Sequence, residues 1–458
     1  MSDQQTVLSA ADQLREQKLC ASVEQLTGAK VIKLDRQLRW RPAWFLELQK
    51  PDGEIIKVHA RGDRESDVMP FPELKREADI LQVLAQQGIP VPHVYGMCAD
   101  PVAIIMETVP GTRDVSTASN DDERRSVARQ YIDAIAAMHS APLEPFADRG
   151  IEVPEGAEAI ALAGLNAYLP LYQKHKRQPD PLIEFAMRWL RNNIPLHRTK
   201  PSFIAFDAGQ FLFENGKITA LYDFEFAMVG DPLTDLATMA MRESVEPMGD
   251  DIGSLCRYYA EVVGEPLDVK VMRYHHTLFA TVACMQFVGS TTNPSPGDPH
   301  DVYIEWDIAL RRSLINVLAE NLGVDIVPPA PVARLAGKHR AILTMLDDAL
   351  DKIGVEQELH QQNKQAAKRL VEYYQRVDQV EAELERLARI DAALILGDSY
   401  DASADLDSQM EEFILAAGEQ SNVALISYLA TQVERRVQAF ADISIGQSAA
   451  HVRLEPMV

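Results

Sequence analysis

The chain has 458 residues, 47% of them hydrophobic and 25% charged, a composition typical of a soluble globular protein with room for two or three domains. The formal net charge is −23 and there is no long basic run, which argues against a surface for nucleic acid or for an anionic membrane. This acidity permits a cationic substrate without requiring one.

The four cysteines, Cys20, Cys98, Cys256 and Cys284, are far apart and form neither a CxxC motif nor a Cys/His cluster with zinc spacing. This pattern predicts free thiols in a reducing compartment. The N-terminal residues are polar and lack the apolar region of a signal peptide. No stretch approaches the ~18 apolar residues of a membrane span. We therefore expect a cytoplasmic protein without membrane contact.

The first 110 residues predict a short series of strands interrupted by one helix. Residues 7–27 show helical spacing, and residues 30–49 predict two strands on either side of the segment RQLRWRPA. The turn Pro51–Gly53 leads to a third strand, and a periodic helix covers about 72–87. The segments HVYGMC and VAIIMETV predict two further strands.

Basic residues alternate along the third predicted strand. Lys57, His59 and Arg61 fall on one face, because side chains in a strand alternate with a period of two. A cation on this face would be aimed at nucleotide phosphates if the chain binds them. A solvated strand face is the alternative.

Residues 202–237, SFIAFDAGQFLFENGKITALYDFEFAMVGDPLTDLA, are the most informative stretch. Asp207 follows an apolar run, and a hairpin with Asn215-Gly216 at its turn ends at Asp223. A hairpin brings a loop carboxylate and a strand-end carboxylate to the same end of a sheet. Phosphoryl transfer requires one carboxylate at the incoming hydroxyl and one at the magnesium ion. The spacing alone also permits an ordinary hairpin, since Asp is common beside turns.

This stretch resembles the aminoglycoside phosphotransferase and choline kinase family, relatives of the protein kinases. That family carries a His-Gly-Asp-x-x-x-x-Asn loop, an Asp-x-Glu metal motif and a Gly-Asp-Pro-x-x-Asp-Leu-Ala segment. The second motif is present as DFE at 223–225 and the third as GDPLTDLA at 230–237. The first is altered, because AFD at 205–207 replaces His-Gly-Asp and Gln210 stands two residues before the expected Asn.

The resemblance implies an α+β fold with two lobes, as in protein kinases: a mixed N-lobe with an antiparallel sheet and a mainly helical C-lobe. It implies ATP and Mg²⁺ as cofactors, held between the lobes. Asp207 would be the catalytic carboxylate at the substrate hydroxyl. Asp223 would bind magnesium, with Gln210 and Glu225 as further ligands, although the shortened loop could also weaken metal binding.

The resemblance also implies nucleotide-binding residues in the N-lobe. Arg61, or alternatively Lys57, would hold the phosphates, and Glu77 on the following helix would pair with that cation. Kinase-like folds often cover the phosphates with a glycine-rich loop, but the first hairpin here contains no glycine. It offers three arginines instead, none of which the pattern singles out: Arg36, Arg39 and Arg41.

Two further sets of residues correspond to family positions. Met106, Glu107 and Val109 resemble the hinge between the lobes, whose backbone would bind the adenine edge. Asp235 corresponds to a residue that braces the catalytic loop from below. His139, at the end of a predicted helix, corresponds to a structural histidine packed beneath that loop.

We expect residues 1–110 to form the nucleotide-binding N-lobe and 111–327 the catalytic and substrate-binding C-lobe. The proline-rich segment Val327–Pro331 reads as a linker. Residues 332–458 lie outside the resemblance and predict a helical domain of unknown role, with a near-heptad of apolar residues. A homo-oligomer formed through these helices is possible. The near-heptad comprises Leu370, Tyr374, Val377, Val380, Leu384 and Leu387.

The predicted activity is transfer of the γ-phosphoryl group of ATP to a hydroxyl of a small molecule, with no nucleic-acid partner. The absence of a GxxxxGK[ST] loop argues against a P-loop ATPase. Two alternatives remain. The altered loop is compatible with a pseudokinase that binds or assembles without turnover, although retention of Asp207, Asp223 and Glu225 favours activity. An interaction protein centred on the C-terminal helices is compatible with either. The sequence does not identify the acceptor.

Overall fold

The computed structural model describes residues 10–37, 41–64, 69–244, 246–295, 298–356 and 358–457. Arg39 and the first residues of the predicted N-terminal helix lie outside this range.

An antiparallel sheet with two helices forms the N-lobe, and this confirms the predicted order of elements. The elements are α1 (Ala10–Thr27), β1 (Lys30–Gln37), β2 (Ala43–Gln49), β3 (Ile55–Gly62), α2 (Leu74–Gln86), β4 (Val94–Ala99) and β5 (Val102–Glu107). The strand order is β1-β2-β3-β5-β4, with every neighbouring pair antiparallel.

The two faces of the sheet are covered by different helices, because side chains on β5 alternate. Ala103 and Ile105 join a buried cluster with Leu19 of α1. Ile104 and Met106 belong to the cluster that contains the apolar face of α2. A strand buried on both faces accounts for the continuous apolar run in this part of the sequence.

The C-lobe is mainly helical and contains two small sheets. Its elements are α3 (Asp121–His139), α4 (Glu144–Ala147), α5 (Ala157–Ala161), α6 (Ala163–His175), α7 (Pro181–Asn192), β6 (Ser202–Ile204), β7 (Phe211–Glu214), β8 (Lys217–Leu221), β9 (Met228–Gly230), α8 (Leu233–Glu243), α9 (Ile252–Val263), α10 (Val269–Thr292) and α11 (His300–Leu322). β6 pairs with β9, and β7 pairs with β8, both antiparallel.

The predicted hairpin turn is present between β7 and β8. Asn215 has φ 51° and Gly216 has φ 73°, and Glu214 pairs with Lys217 across the turn. Positive φ at both central residues defines the type I′ turn, which matches the right-handed twist of the strands and favours Asn-Gly. The α+β, two-lobed architecture expected from the sequence is therefore confirmed.

Helices of the C-terminal segment pack onto the C-lobe. The segment comprises α12 (Arg340–Lys352), α13 (Glu358–Leu396), α14 (Leu406–Ala416), α15 (Asn422–Phe440) and α16 (Gln447–His451). Of these, α13 to α16 contact the C-lobe, and α12 packs against α13. Met410 of α14 and Leu425 of α15 share one buried cluster with Leu314 of α11. The linker thus separates two stretches of chain that share an apolar core. In the described ranges, no helix combines the length and the apolarity that a membrane crossing requires.

One position of the predicted near-heptad differs from expectation. Val380 is fully buried, but Tyr374 is 47% exposed. Its neighbour Tyr373 is buried instead and packs against Phe440 of α15, with ring centroids 5.1 Å apart. With Tyr373 in place of Tyr374, the buried or half-buried positions are spaced alternately by three and four residues, which is the regular heptad spacing; they are 370, 373, 377, 380, 384 and 387.

Candidate active site

The loop between β6 and β7 is braced by the beginning of α8. The buried Asp235 carboxylate accepts hydrogen bonds from the backbone amides of Ala205 and Phe206, each at 2.9 Å. The Thr238 hydroxyl accepts a third from the Ala208 amide at 3.2 Å. Since a buried carboxylate requires such donors, the loop and the helix stabilise each other.

His139 lies beneath this loop and not beside the cleft carboxylates. Its Nε2 is 3.0 Å from an Asp235 carboxylate oxygen, and its Nδ1 is 2.7 Å from the Tyr259 hydroxyl. All three side chains are buried. The histidine therefore connects α3, α8 and α9, a placement compatible with the supporting role expected for it.

Phe206 stands where the family has glycine, and it adopts a left-handed conformation with φ 65°. Such a conformation costs a non-glycine residue about 1–3 kcal/mol. Its ring is buried near Tyr168 and Phe279, with centroids 6.2 Å and 5.3 Å away. Full burial of a phenylalanine contributes about 1.5–3 kcal/mol, which offsets the strain. Gly164 makes room for the ring, because a Cβ there would lie 2.5 Å from it.

Both carboxylate oxygens of Asp207 have partners. Arg242 of α8 donates to Oδ1, and the Gln210 amide nitrogen donates to Oδ2 at 3.1 Å. Arg242 also donates to the Ala208 carbonyl at 3.1 Å, so one side chain holds both the loop and its carboxylate. Arg242 was not among the residues predicted from the sequence. The feature of the sequence that could have indicated Arg242 is its spacing from Asp235 and Thr238, which puts the three residues on one helix face.

The hairpin brings Asp207 and Asp223 to the same end. The Tyr222 amide donates to the Gln210 carbonyl at 3.2 Å, which continues the pairing of β7 with β8 up to the residue before Asp223. Burial raises the pKa of the Asp207 carboxyl above its ordinary value; Arg242 opposes this rise, and Asp223 adds to it. A carboxylate with a raised pKa is a better proton acceptor.

Arg61 of β3 contacts three carboxylates. It donates to Asp223 and, at 3.0 Å, to Glu225, and its Nε lies 3.4 Å from Glu77 of α2. Burial alone would raise the pKa of Asp223, but the nearby guanidinium groups, Arg61 foremost, lower it to about 2. Asp223 has φ 66°, a second strained residue beside the cleft. It is ionised at neutral pH, as a magnesium ligand must be.

The alternative cation, Lys57, does not reach this cluster in the structure. Its side chain is exposed. It lies on the same strand face as Arg61, two residues before His59 and on the far side of it from Arg61. Its backbone carbonyl accepts a hydrogen bond from the Thr108 amide at 3.0 Å, where the chain leaves β5. The structure therefore brings Arg61, and not Lys57, to Glu77.

The hinge candidates lie at the end of β5. Met106 is buried, Glu107 is exposed and Val109 is half-buried. Shortly after them, Thr112 forms an isolated antiparallel bridge with Phe213 of β7. The segment thus joins the N-lobe sheet directly to the β7–β8 hairpin.

Two arginines that the sequence analysis did not select bind the metal motif. Arg41 donates to Glu225 Oε2 at 2.6 Å, and Arg64 donates to Glu225 Oε1 at 2.5 Å. Arg41 is only 5% exposed, and its Nε donates to the Gly62 carbonyl at 2.9 Å. The available signal for Arg41 was the arginine-rich, glycine-free hairpin, and Arg64 lies in the basic segment ARGDR that contains Arg61. Nothing in the spacing of either residue indicated Glu225.

The oxygen atoms of Asp223, Glu225 and Gln210 are suited to a metal ion that is also bound by phosphate groups. In the part of the chain that the structure describes, no three His, Cys, Asp or Glu side chains are grouped so that they could hold a metal ion. Mg²⁺, however, commonly takes only one or two protein carboxylates together with substrate phosphates. Asp223, Glu225 and the carbonyl oxygen of Gln210 are oxygen donors of the required kind.

Residues 55–266 match the model of a family described as the phosphotransferase enzyme family. This span runs from β3 to the loop after α9, so it includes Arg61, Glu77, Asp207, Asp223 and Asp235. It does not include the first hairpin or the C-terminal helices.

Curated relatives match over a similar part of the chain. Acyl-CoA dehydrogenase family member 10 of Mus musculus is 24% identical over 224 residues, which are 44% of this chain and 18% of that protein. Acyl-CoA dehydrogenase family member 11 of Homo sapiens is 24% identical over 209 residues, 42% of this chain and 24% of that protein. The chain thus spans about a fifth to a quarter of the length of these relatives.

Solved structures with similar coordinates include a protein of Ralstonia eutropha assigned as an aminoglycoside phosphotransferase. It is 18% identical with a TM-score of 0.49, and the match covers 65% of this chain and 95% of that chain. A type I macrolide 2′-phosphotransferase is 17% identical with a TM-score of 0.46, covering 68% of this chain and 99% of that chain. Residues 55–266 are therefore similar to the phosphotransferase enzyme family.

Proposed function

We propose that the chain transfers the γ-phosphoryl group of ATP to a hydroxyl group of a small molecule. The observation that carries this proposal is the pair of carboxylates, Asp207 and Asp223, at one end of the β7–β8 hairpin. The pKa values of these two groups are shifted in opposite directions. Burial dominates at Asp207 and raises its pKa, whereas the arginines dominate at Asp223 and lower its pKa to about 2. One group is suited to accept a proton and the other to face a cation.

Asp207 would orient the acceptor hydroxyl and take its proton as the oxygen attacks phosphorus and ADP departs. Arg242 would keep the carboxylate in place through Oδ1. The hydroxyl would take the position of the Gln210 amide at Oδ2, the longer of the two contacts. Gln210 would then be free to turn its carbonyl oxygen toward the metal.

Magnesium-bound ATP, when present, supplies the phosphoryl group and neutralises charge that develops on it. Asp223 would hold the metal, with Glu225 and Gln210 as further ligands. Arg61 would move from the two metal-motif carboxylates to the phosphates. Glu77, only 4% exposed, would keep the guanidinium close to the cleft.

The free state of the cysteines supports a cytoplasmic location as part of this proposal. Cys20, Cys98, Cys256 and Cys284 are all unpaired, and three of them are buried. Buried thiols of this kind persist in a reducing compartment.

A pseudokinase is the second candidate, and one observation favours it. Arg61 occupies Asp223, and Arg242 and Gln210 occupy both oxygens of Asp207. A chain that only binds nucleotide, or binds none, could retain these pairs permanently. In the transferase, these contacts of Asp207 and Asp223 would open during turnover. In the pseudokinase, they would stay closed.

The test has two stages. Mg-ATP should raise the melting temperature by mass action if the cleft binds nucleotide. A panel of hydroxyl-bearing small molecules should then be screened for consumption of ATP labelled at the γ-phosphate, with the Asp223→Asn variant as the control for background hydrolysis. Absence of a thermal shift at millimolar Mg-ATP would count against both the transferase and a pseudokinase that binds nucleotide, and a shift with no transfer to any acceptor would favour the nucleotide-binding pseudokinase.

A further inference from the structure

Glu225 is the meeting point of three guanidinium groups from the N-lobe. Arg41, Arg61 and Arg64 lie 2.6, 3.0 and 2.5 Å from its carboxylate oxygens. Glu225 is 6% exposed, so these charges interact with little screening by water. One arginine is enough to neutralise the negative charge of Glu225. This carboxylate therefore has more cationic partners than its own charge requires.

The cluster is electrically balanced only as a whole. Arg61 contacts the carboxylates of Glu77, Asp223 and Glu225. Arg41 and Arg64 contact Glu225, so the cluster contains three arginines and three carboxylates. A divalent cation that entered alone would find both metal-motif carboxylates covered by guanidinium groups. A nucleotide that entered alone would find the guanidinium groups covered by carboxylates. When the divalent cation and the nucleotide enter together, both sets of groups change partners. The carboxylates exchange arginine for the cation, and the arginines exchange carboxylate for phosphate.

Arg41 is well placed to change partners without leaving the site. Its Nε is anchored on the Gly62 carbonyl at the end of β3, while Nη1 is the atom that contacts Glu225. It lies two residues before β2, on the hairpin that lacks the glycines of a phosphate-covering loop. Guanidinium groups bind phosphate through paired N–H donors, which a backbone loop would otherwise supply.

We propose that Arg41 and Arg64 are phosphate-binding residues that Glu225 holds until magnesium arrives, so that Mg²⁺ and nucleotide bind cooperatively. This inference rests on the proposed function, because it concerns the same nucleotide site. It adds two residues to the phosphate-binding set that contains Arg61: Arg41 on the first hairpin and Arg64, two residues after the end of β3. By thermodynamic reciprocity, the metal strengthens nucleotide binding by the same factor as the nucleotide strengthens metal binding.

The decisive variant is Glu225→Gln, which keeps the side-chain shape and releases the two arginines. Titration calorimetry should be carried out with ATP in excess EDTA and with ATP in millimolar Mg²⁺. We expect the variant to bind metal-free ATP about tenfold more tightly than the wild type, within the usual range of coupling between sites. The additional affinity that Mg²⁺ confers should be smaller in the variant than in the wild type.

Loss of a negative charge could by itself favour ATP, so the arginines require their own test. Arg64→Met should weaken ATP binding, and in an Arg64→Met background the gain from Glu225→Gln should shrink. Arg41→Met should behave in the same way. Arg36→Met is the matched control, because Arg36 lies on β1 and pairs with Asp12 of α1 at 3.0 Å. It should leave both affinities unchanged.

The outcomes separate this inference from the proposed function. If Glu225→Gln leaves metal-free ATP affinity unchanged or lowers it, or if its gain is undiminished in the Arg64→Met background, the arginines are not released to phosphate and the inference is overturned. If the wild type binds no nucleotide with or without Mg²⁺, the proposed function fails as well. Should buried Arg41→Met unfold the protein, the less buried Arg64 decides the question.

Discussion

Replacement of Asp207 by Asn tests whether this carboxylate is the proton acceptor. The amide keeps the size of the side chain and can still accept a hydrogen bond from Arg242 through its oxygen. It cannot take a proton from a hydroxyl. We therefore expect kcat to fall sharply while the affinity for Mg-ATP, which depends on Asp223 and Arg61, stays nearly unchanged.

The effects on rate and on stability should differ in size. A positioned general base contributes roughly 10²–10⁴-fold, which corresponds to about 3–5 kcal/mol of transition-state stabilisation. The folded state loses the charge of the Arg242 hydrogen bond, and the Gln210 side chain must turn its carbonyl oxygen toward the new amide, a combined cost of about 1–3 kcal/mol. Arg242 keeps its contacts with Glu246 at 2.7 Å and with the Ala208 carbonyl at 3.1 Å, which limits the cost. The loss of rate should therefore exceed the loss of stability.

Three measurements decide the case: kcat with the acceptor found in the screen, Mg-ATP affinity by calorimetry, and the melting temperature. Glu246→Gln is the matched control, because it weakens the second ion pair of Arg242 and leaves Asp207 intact. Wild-type turnover by a well-folded Asp207→Asn variant that binds Mg-ATP normally would refute the assignment of this residue as the base. Equal losses of stability, nucleotide binding and rate would identify a structural aspartate instead.

Three further predictions concern the neighbouring residues. Asp223→Asn should abolish phosphoryl transfer, with Gln210→Ala milder, and measurable magnesium-dependent turnover in Asp223→Asn would contradict its role as a ligand. Gly164→Ala should lower the free energy of unfolding by about 1–3 kcal/mol in denaturant titrations, because the new methyl meets the Phe206 ring; an unchanged midpoint would show that the ring can move. The lowered pKa of Asp223, about 2 in the folded state against ~3.9 unfolded, stabilises the protein above pH ~4. This stability is lost as the pH falls toward 2, so the stability difference between wild type and Asp223→Asn should shrink over that interval, and a constant difference would oppose the Arg61 pairing.

The parts of the fold that follow from local chemistry could be predicted from the sequence. The Asn215-Gly216 turn has residues that tolerate positive φ, and the alternation along β3 places Arg61 on the cleft face. Hairpin geometry alone also indicated that Asp207 and Asp223 would share one end. These features depend on residues that are close in sequence or on a period that can be counted.

The residues that the sequence did not reveal act over long separations. Arg41 and Arg64 reach Glu225 across 184 and 161 positions, and nothing in their own neighbourhood specifies that partner. Arg242 lies 35 positions after Asp207. In the sequence it cannot be told from any other basic residue near the C-terminal end of a helix, where such residues are favourable. The packing of the C-terminal helices was similarly hidden, because an amphipathic helix shows which face is apolar but not what covers it.

The altered loop does not by itself argue for loss of activity. Where the family has glycine, Phe206 adopts the left-handed conformation because its ring is buried and its amide binds Asp235. The same helix face supplies Arg242 to the neighbouring carboxylate. The result is that Asp207 and Asp223 have pKa values shifted in opposite directions. Proton transfer beside a metal would use such a separation, so it supports the proposed turnover. Much of the separation comes from the Arg61 pair, which would have to open for the metal to bind, and the rate of the Asp207→Asn variant is therefore the measurement that decides between turnover and binding alone.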